Sequence, residues 1–217
     1  ILYGLIELSG IFYLIGLLGL FATFLVIKIP LNKDNSHKAN HLFGLSLKPL
    51  VLNIQILRLN LGIFFLMFTQ ASIFLLIPNL MLGFGVEVGD HWKMYLPVLL
   101  FAFLVMFLVI VKSEQQNQQK KYFLISISLV LFSIIVFWMS KDFFLFWLIG
   151  LLVYFIGFNL LEAFLPAWVS KLASPSSRGL ALGIYNTWQS LGIFAGGFVG
   201  GQLLAFFDQR GVFLFCI

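Results

Sequence analysis

NLLEAFLPAWVSKLASPSSRGLALGIYNTWQSLGIFAGGFVGG, running from Asn159 to Gly201, decides how this chain is read. Its first part is apolar and carries one acid, Glu162, with Pro166 four residues further on. A short basic connection, Lys171 to Arg178, follows. The second part is again free of charge. It has polar side chains at Asn186, Thr187, Gln189 and Ser190, then glycines at Gly192, Gly196, Gly197, Gly200 and Gly201. A helix that spans a bilayer needs about 20 mostly apolar residues, so two such runs around a short polar connection predict a membrane-crossing helical hairpin.

The same alternation extends outward from this hairpin. Residues 8–27, 59–86, 94–111, 122–140 and 143–161 are free of charge apart from the rare polar side chain, and 143–161 continues as 163–170 beyond Glu162. The run 179–207 is the second arm of the hairpin, and another apolar run begins at Gly211 and reaches Ile217. These make six full spans and the start of a seventh. Runs of this length without polar–apolar alternation exclude barrel strands. The expected fold class is therefore all-α, a polytopic membrane bundle with partial ends. Composition agrees: 61% of the 217 residues are hydrophobic and 10% are charged, against about 25% charged in a soluble domain. Mean hydropathy is +1.06. No soluble core of this size hides so much apolar surface, which excludes a water-soluble enzyme, a disordered chain and a nucleic-acid-binding domain. The chain opens on Ile1 and ends in an apolar run, Val212 to Ile217, so it is expected to be a piece of a longer protein. The single cysteine, Cys216, has no partner for an internal disulfide.

Lysine and arginine set the expected orientation. Alternate connections carry Lys28, Lys33, Lys38, Lys48 and Arg58, then Lys112, Lys120 and Lys121, then Lys171 and Arg178. The opposite set holds only Lys93, Lys141 and Arg210. The positive-inside rule places the richer set in the cytoplasm. One connection is long, from Lys28 to Arg58, and ends in a mildly amphipathic piece from Lys48. It reads as a cytoplasmic linker with a surface helix. The expected organisation is the end of one transmembrane bundle over 1–30, the linker over 31–57, and a second bundle over 58–217.

Within the spans, Glu162 is read as the one well-embedded carboxylate, nine residues before Lys171 and so about 13 Å along a helix. Asn159 and Pro166 share its face at i−3 and i+4. A charge at that depth costs at least about 2.5 kcal/mol on insertion scales, so Glu162 should face protein or water. It is either a proton or cation site, or a structural or gating group bonded to a neighbouring helix, Lys171 or Arg178. Thr69, Gln70 and Ser72 sit mid-span in one helix, Asn186 and Gln189 in another. They line a cavity or bond between helices. Gly192, Gly196 and Gly200, and again Gly197 and Gly201, recur every fourth residue, a spacing that lets helix backbones approach closely. Pro78 and Pro166 are candidate bends. Trp92, Tyr95, Tyr122, Trp138 and Trp147 lie near span ends, as interfacial anchors do. His37 and His41 are four apart, but only Asp34 accompanies them, so no metal site is expected. His91 reads as a loop residue. No nucleophile–histidine–acid motif appears, so no catalytic residue and no cofactor are expected.

The segment Asn159–Gly201 resembles the tenth and eleventh helices of the major facilitator superfamily, in particular its bacterial multidrug-efflux-like branch of proton antiporters. RLNLGIFFLMFTQASIFLLIPNLML, from Arg58, is similar to the seventh helix of that branch, and ILYGLIELSGIFYLIGLLGLFATF, from Ile1, to the end of the fifth and the sixth. On this resemblance the chain runs from about the end of helix five to the start of helix twelve. The loop KSEQQNQQKK, Lys112 to Lys121, has neither the Gly nor the Arg of the gating motif expected between helices eight and nine. The resemblance implies a monomeric multi-pass inner-membrane protein, in contact with the lipid bilayer and not with nucleic acid. It would export a small amphipathic or cationic compound in exchange for protons. The alternatives are a permease of the same fold for a sugar, metabolite or siderophore, and a polytopic membrane enzyme.

Overall fold

The computed structural model describes residues 2–27, 50, 52–140 and 143–217, with side chains from residue 10 onward except those at 11, 26, 27, 208 and 210. The linker charges Lys28, Lys33, Lys38 and Lys48, the pair His37 and His41, and Lys141 lie outside the described residues. The chain divides into two units, Ile1–Leu45 and Ser46–Ile217. The division falls inside the linker expected over 31–57.

The first unit contains helix α1, Leu2–Ile27, of 26 residues. At 1.5 Å per residue it is about 39 Å long, more than the roughly 30 Å hydrocarbon core. Its Thr23 hydroxyl donates to the Gly19 carbonyl at 2.9 Å, which satisfies that polar side chain within the apolar stretch Phe12–Leu25.

The second unit begins with α2, Ile54–Phe74. Asn53 caps it, its side-chain oxygen accepting from the amides of Gln55 at 2.9 Å and Ile56 at 3.4 Å. A turn at Leu75–Leu76 separates α2 from α3, Ile77–Gly83, whose first turn holds Pro78. Proline is tolerated there because its missing N–H would have had no helical partner. The run expected as one span over 59–86 is thus two helices joined by a break. Gly85, with φ +80, ends the segment in a conformation that favours glycine. A short 3₁₀ turn, Val88–Asp90, leads into α4, His91–Gln115. Next come α5, Gln119–Met139, α6, Phe144–Leu172, and α7, Arg178–Cys216. Among the described residues, five helical segments are long and apolar enough to cross a bilayer: Ile54–Gly83, Val88–Gln115, Gln119–Met139, Phe144–Leu172 and Arg178–Phe207.

Helix α6 is the centre of this unit and touches α2, α4, α5 and α7. Trp147, Leu151, Tyr154, Leu165 and Val169 on it are accordingly buried. The most extensive helix pair is α2 with α7. Glycine makes it. A Cβ at Gly192 or Gly196 would collide with the carbonyl oxygens of Phe64 and Phe68, and one at Gly200 would lie 2.9 Å from Ser72 Cα. The constant offset between these partners makes the two helices parallel. The buried Ser72 hydroxyl, 2.9 Å from both the Phe68 and the Gly196 carbonyls, ties them together. Gly197 and Gly201 differ from the other three: a Cβ at either meets nothing within 4 Å. Helices α5 and α6 also approach closely, though less so, with Gly157 against the Ser126 carbonyl and Gly150 against the Val136 side chain.

Three expectations change. Helix α7 runs unbroken to Cys216, through the loop expected at residues 208–210. It is not straight, however. Gly196 lies on the Phe68 carbonyl, and the Phe215 ring is only 5.8 Å from the Phe68 ring. Nineteen residues of straight helix would separate them by about 28 Å. The chain therefore doubles back, and Gly211 marks the bend, since a Cβ there would collide with Phe207 Cβ. Second, Trp147 is no interfacial anchor. It is 1% exposed, enclosed by the rings of Phe84, Phe137 and Phe144, because α3 folds over the start of α6. Third, His91 is the buried first residue of α4, its Nε2 lying 3.2 Å from the Val86 carbonyl.

Candidate functional site

The site is assembled where α2, α6 and α7 meet. Helices α2 and α6 are antiparallel: Gly62 faces Leu165, and the Phe74 ring meets the Phe155 ring edge-on at 5.9 Å. This register sets Asn159 level with Thr69 and Gln70, and Glu162 level with the turn around Leu66. Asn159 is buried, while Gln70, Thr69 and Glu162 are half-buried. The Gln70 Oε1 and Asn159 Nδ2 atoms are inaccessible and make no hydrogen bond within the described residues. The same holds for Asn60 Oδ1 on α2, Tyr154 Oη on α6 and Tyr185 Oη on α7. Both tyrosine hydroxyls are within electrostatic reach of the Glu162 carboxylate. Buried polar side chains are nearly always hydrogen-bonded, so orphaned Asn159 and Gln70 within about a turn of an embedded acid are unusual.

The structure separates the other expected residues. Thr69 lines a mostly apolar cavity of about 530 Å³ with Phe68, Phe123, Ile134, Leu161 and Phe215. The Gln189 amide reaches toward α2, 3.9 Å from Met67 Sδ, whereas Asn186 is exposed on a flank of α7 that α2 does not cover. Pro166 is half-buried inside α6 without interrupting it. Arg178 Nε donates to the Ser170 carbonyl at 3.0 Å, and Lys171 Nζ to Gln119 Oε1 at 3.3 Å. Neither reaches Glu162. Among the described residues the ion pair found is Lys93 with Asp90, at 2.7 Å, on another turn of the molecule. The basic connection therefore ties helix ends together, and among the described residues the embedded acid has no cation beside it.

Asn60, Tyr154 and Tyr185 escaped the sequence reading. Asn60 stands two residues after Arg58 and reads as the polar start of a helix. A tyrosine inside an apolar run gives no sign of whether its hydroxyl points to a membrane interface or into a bundle. Their burial comes from the crossing of three helices that are far apart in sequence.

The chain matches the Major Facilitator Superfamily over residues 1–197. It belongs to that superfamily. It is 32% identical over 212 residues to the Inner membrane transport protein YajR of Escherichia coli (strain K12), which covers 96% of this chain and 46% of that protein. It is 38% identical over 170 residues to the Uncharacterized transporter BU466 of Buchnera aphidicola subsp. Acyrthosiphon pisum (strain APS), covering 77% of this chain and 44% of that one. The chain spans about half the length of these relatives. As a major facilitator protein it is an all-α, multi-pass protein of the inner membrane, and its relatives are named as transport proteins. Among the described residues no cluster of metal-ligating side chains accompanies the site.

Proposed function

We propose that the complete protein is a secondary active transporter that exports a small amphipathic or cationic compound in exchange for protons. Residues 1–30 close its N-terminal bundle, 31–57 form a cytoplasmic linker, and 58–217 belong to its C-terminal bundle. The observation that carries this reading is Glu162, half-buried in a spanning helix, with no cation beside it among the described residues, with orphaned Asn159 and Gln70 about a turn away and the orphaned hydroxyls of Tyr154 and Tyr185 within electrostatic reach. An ionised carboxylate at that depth is costly. A proton relieves the cost, and so does a cationic cargo. A group that exchanges one for the other links the two fluxes.

In alternating access the bundles rock about a midplane site, and whatever binds that site shifts the balance between inward-open and outward-open states. Asn159 and Gln70 supply hydrogen bonds that orient the cargo, and Gln189 borders it from α7. The glycine face of α7 keeps α2 and α7 moving as one unit.

A second reading is a permease for a neutral polar cargo such as a sugar or other metabolite. The two amides favour it, because a neutral hydroxylated compound would satisfy them without a charge. The test uses the complete protein in inverted membrane vesicles carrying a pH gradient, to which cationic and neutral compounds are added. Collapse of the gradient by cationic compounds is expected. Uptake of a neutral sugar or metabolite with no change in the gradient would replace the antiport reading with the permease.

A further inference from the structure

At one end of the second unit, α2 and α6 leave a surface cleft of about 350 Å³. Gln55 and Arg58 from the first turns of α2 form one wall, Trp168, Lys171 and Leu172 from the last turns of α6 the other, and buried Leu59 the floor. Arg58 and Lys171 are exposed. Lys171 donates to Gln119 Oε1, and Arg58 has no hydrogen bond or ion pair with any described residue. No carboxylate of the described residues lines the cleft. The first amides of α2 are already taken by Asn53. An anion would therefore be held by the two cationic side chains. Helices α2 and α6 both cross a bilayer and end here, so the cleft lies at the boundary between headgroups and hydrocarbon. The Trp168 indole, in contact with the Phe123 ring at 4.6 Å, sits on its apolar side.

We propose that this cleft binds an anionic phospholipid of the adjacent leaflet. The headgroup phosphate lies between the Arg58 guanidinium and the Lys171 ammonium, and the upper acyl chains lie on Trp168 and Leu172. The chemistry matches on both sides. A guanidinium offers a planar fork to phosphate oxygens, an ammonium adds a point charge, and tryptophan favours the membrane interface. Basic pockets between spanning helices recognise lipid headgroups by the same forces. This site is independent of the transport reading, since neither Arg58 nor Lys171 touches Glu162.

The test measures binding of phosphatidylglycerol and of phosphatidylcholine to the purified complete protein in neutral detergent. The wild type is expected to prefer phosphatidylglycerol. Arg58→Gln and Lys171→Gln are each expected to lower that affinity about fivefold, the effect of one interfacial cation. Affinity for phosphatidylcholine stays the same, and Lys93→Gln changes neither. Arg58→Lys keeps the charge and is expected to recover most of the loss. Equal affinity of the wild type for both lipids, or unchanged binding in the two Gln variants, would overturn the proposal. Displacement by inorganic phosphate at concentrations comparable to those of the lipid would reassign the cleft to a free anion. If Arg58→Gln loses its thermal transition, Lys171→Gln, at an exposed helix end, carries the comparison alone.

Discussion

Gly196 and Gly201 stand five residues apart on one helix and have opposite surroundings. The first lies against the backbone of α2, and the second faces open space. The every-fourth-residue repeat was visible in the sequence for Gly192, Gly196 and Gly200 and equally for Gly197 and Gly201. Only the partner helix distinguishes them, and it comes from more than a hundred residues away. We expect Gly196→Ala to destabilise the complete protein by about 1–3 kcal/mol, as overpacking does. Gly89→Ala, where a Cβ meets nothing within 4 Å, should stay within about 0.5 kcal/mol of wild type. Thermal unfolding of the two variants in one detergent measures the difference. The polar residues follow the same logic. Glu162, Asn159 and Gln70 stood out in apolar runs because each is costly there. Asn60, Tyr154 and Tyr185 did not, since their burial depends on helices far away in the chain.

At the scale of elements, the spans were legible because charge is excluded from hydrocarbon and its positions mark where helices end. What was not legible is how a run bends inside its own length. The break between α2 and α3 sits just before Pro78, and α7 changes direction near Gly211, with no loop between its two helical stretches. The start of α6 shows the consequence. With α3 folded over it, Trp147 becomes a core residue among three aromatic rings. Trp147→Ala is expected to cost about 3–5 kcal/mol. Trp138→Ala, on a side chain that is 40% exposed, should cost well under half of that. Denaturant unfolding of the two variants checks the contrast, and equal losses would show that Trp147 is not the enclosed one.

At the scale of the molecule, the described charges separate by end. Arg58, Lys112, Lys120, Lys121, Lys171 and Arg178 lie at one end of the helices with a single acid, Glu114, while Glu87, Asp90 and Lys93 lie at the other. The basic end is expected in the cytoplasm. A cysteine placed at Lys120 should then react with an impermeant thiol reagent only from the cytoplasmic side, and one at Val88 only from outside. Labelling of intact cells against inverted vesicles reads this directly, and the reverse pattern would invert the topology. The central claim is that Glu162 exchanges a proton for cargo within this bundle. It is tested most directly by following dissipation of a pH gradient in inverted vesicles, with the complete protein as wild type and as Glu162→Gln. A cationic compound that collapses the gradient for wild type and leaves it intact for Glu162→Gln is the predicted result. Equal collapse by both proteins would contradict the claim and leave Glu162 a structural residue.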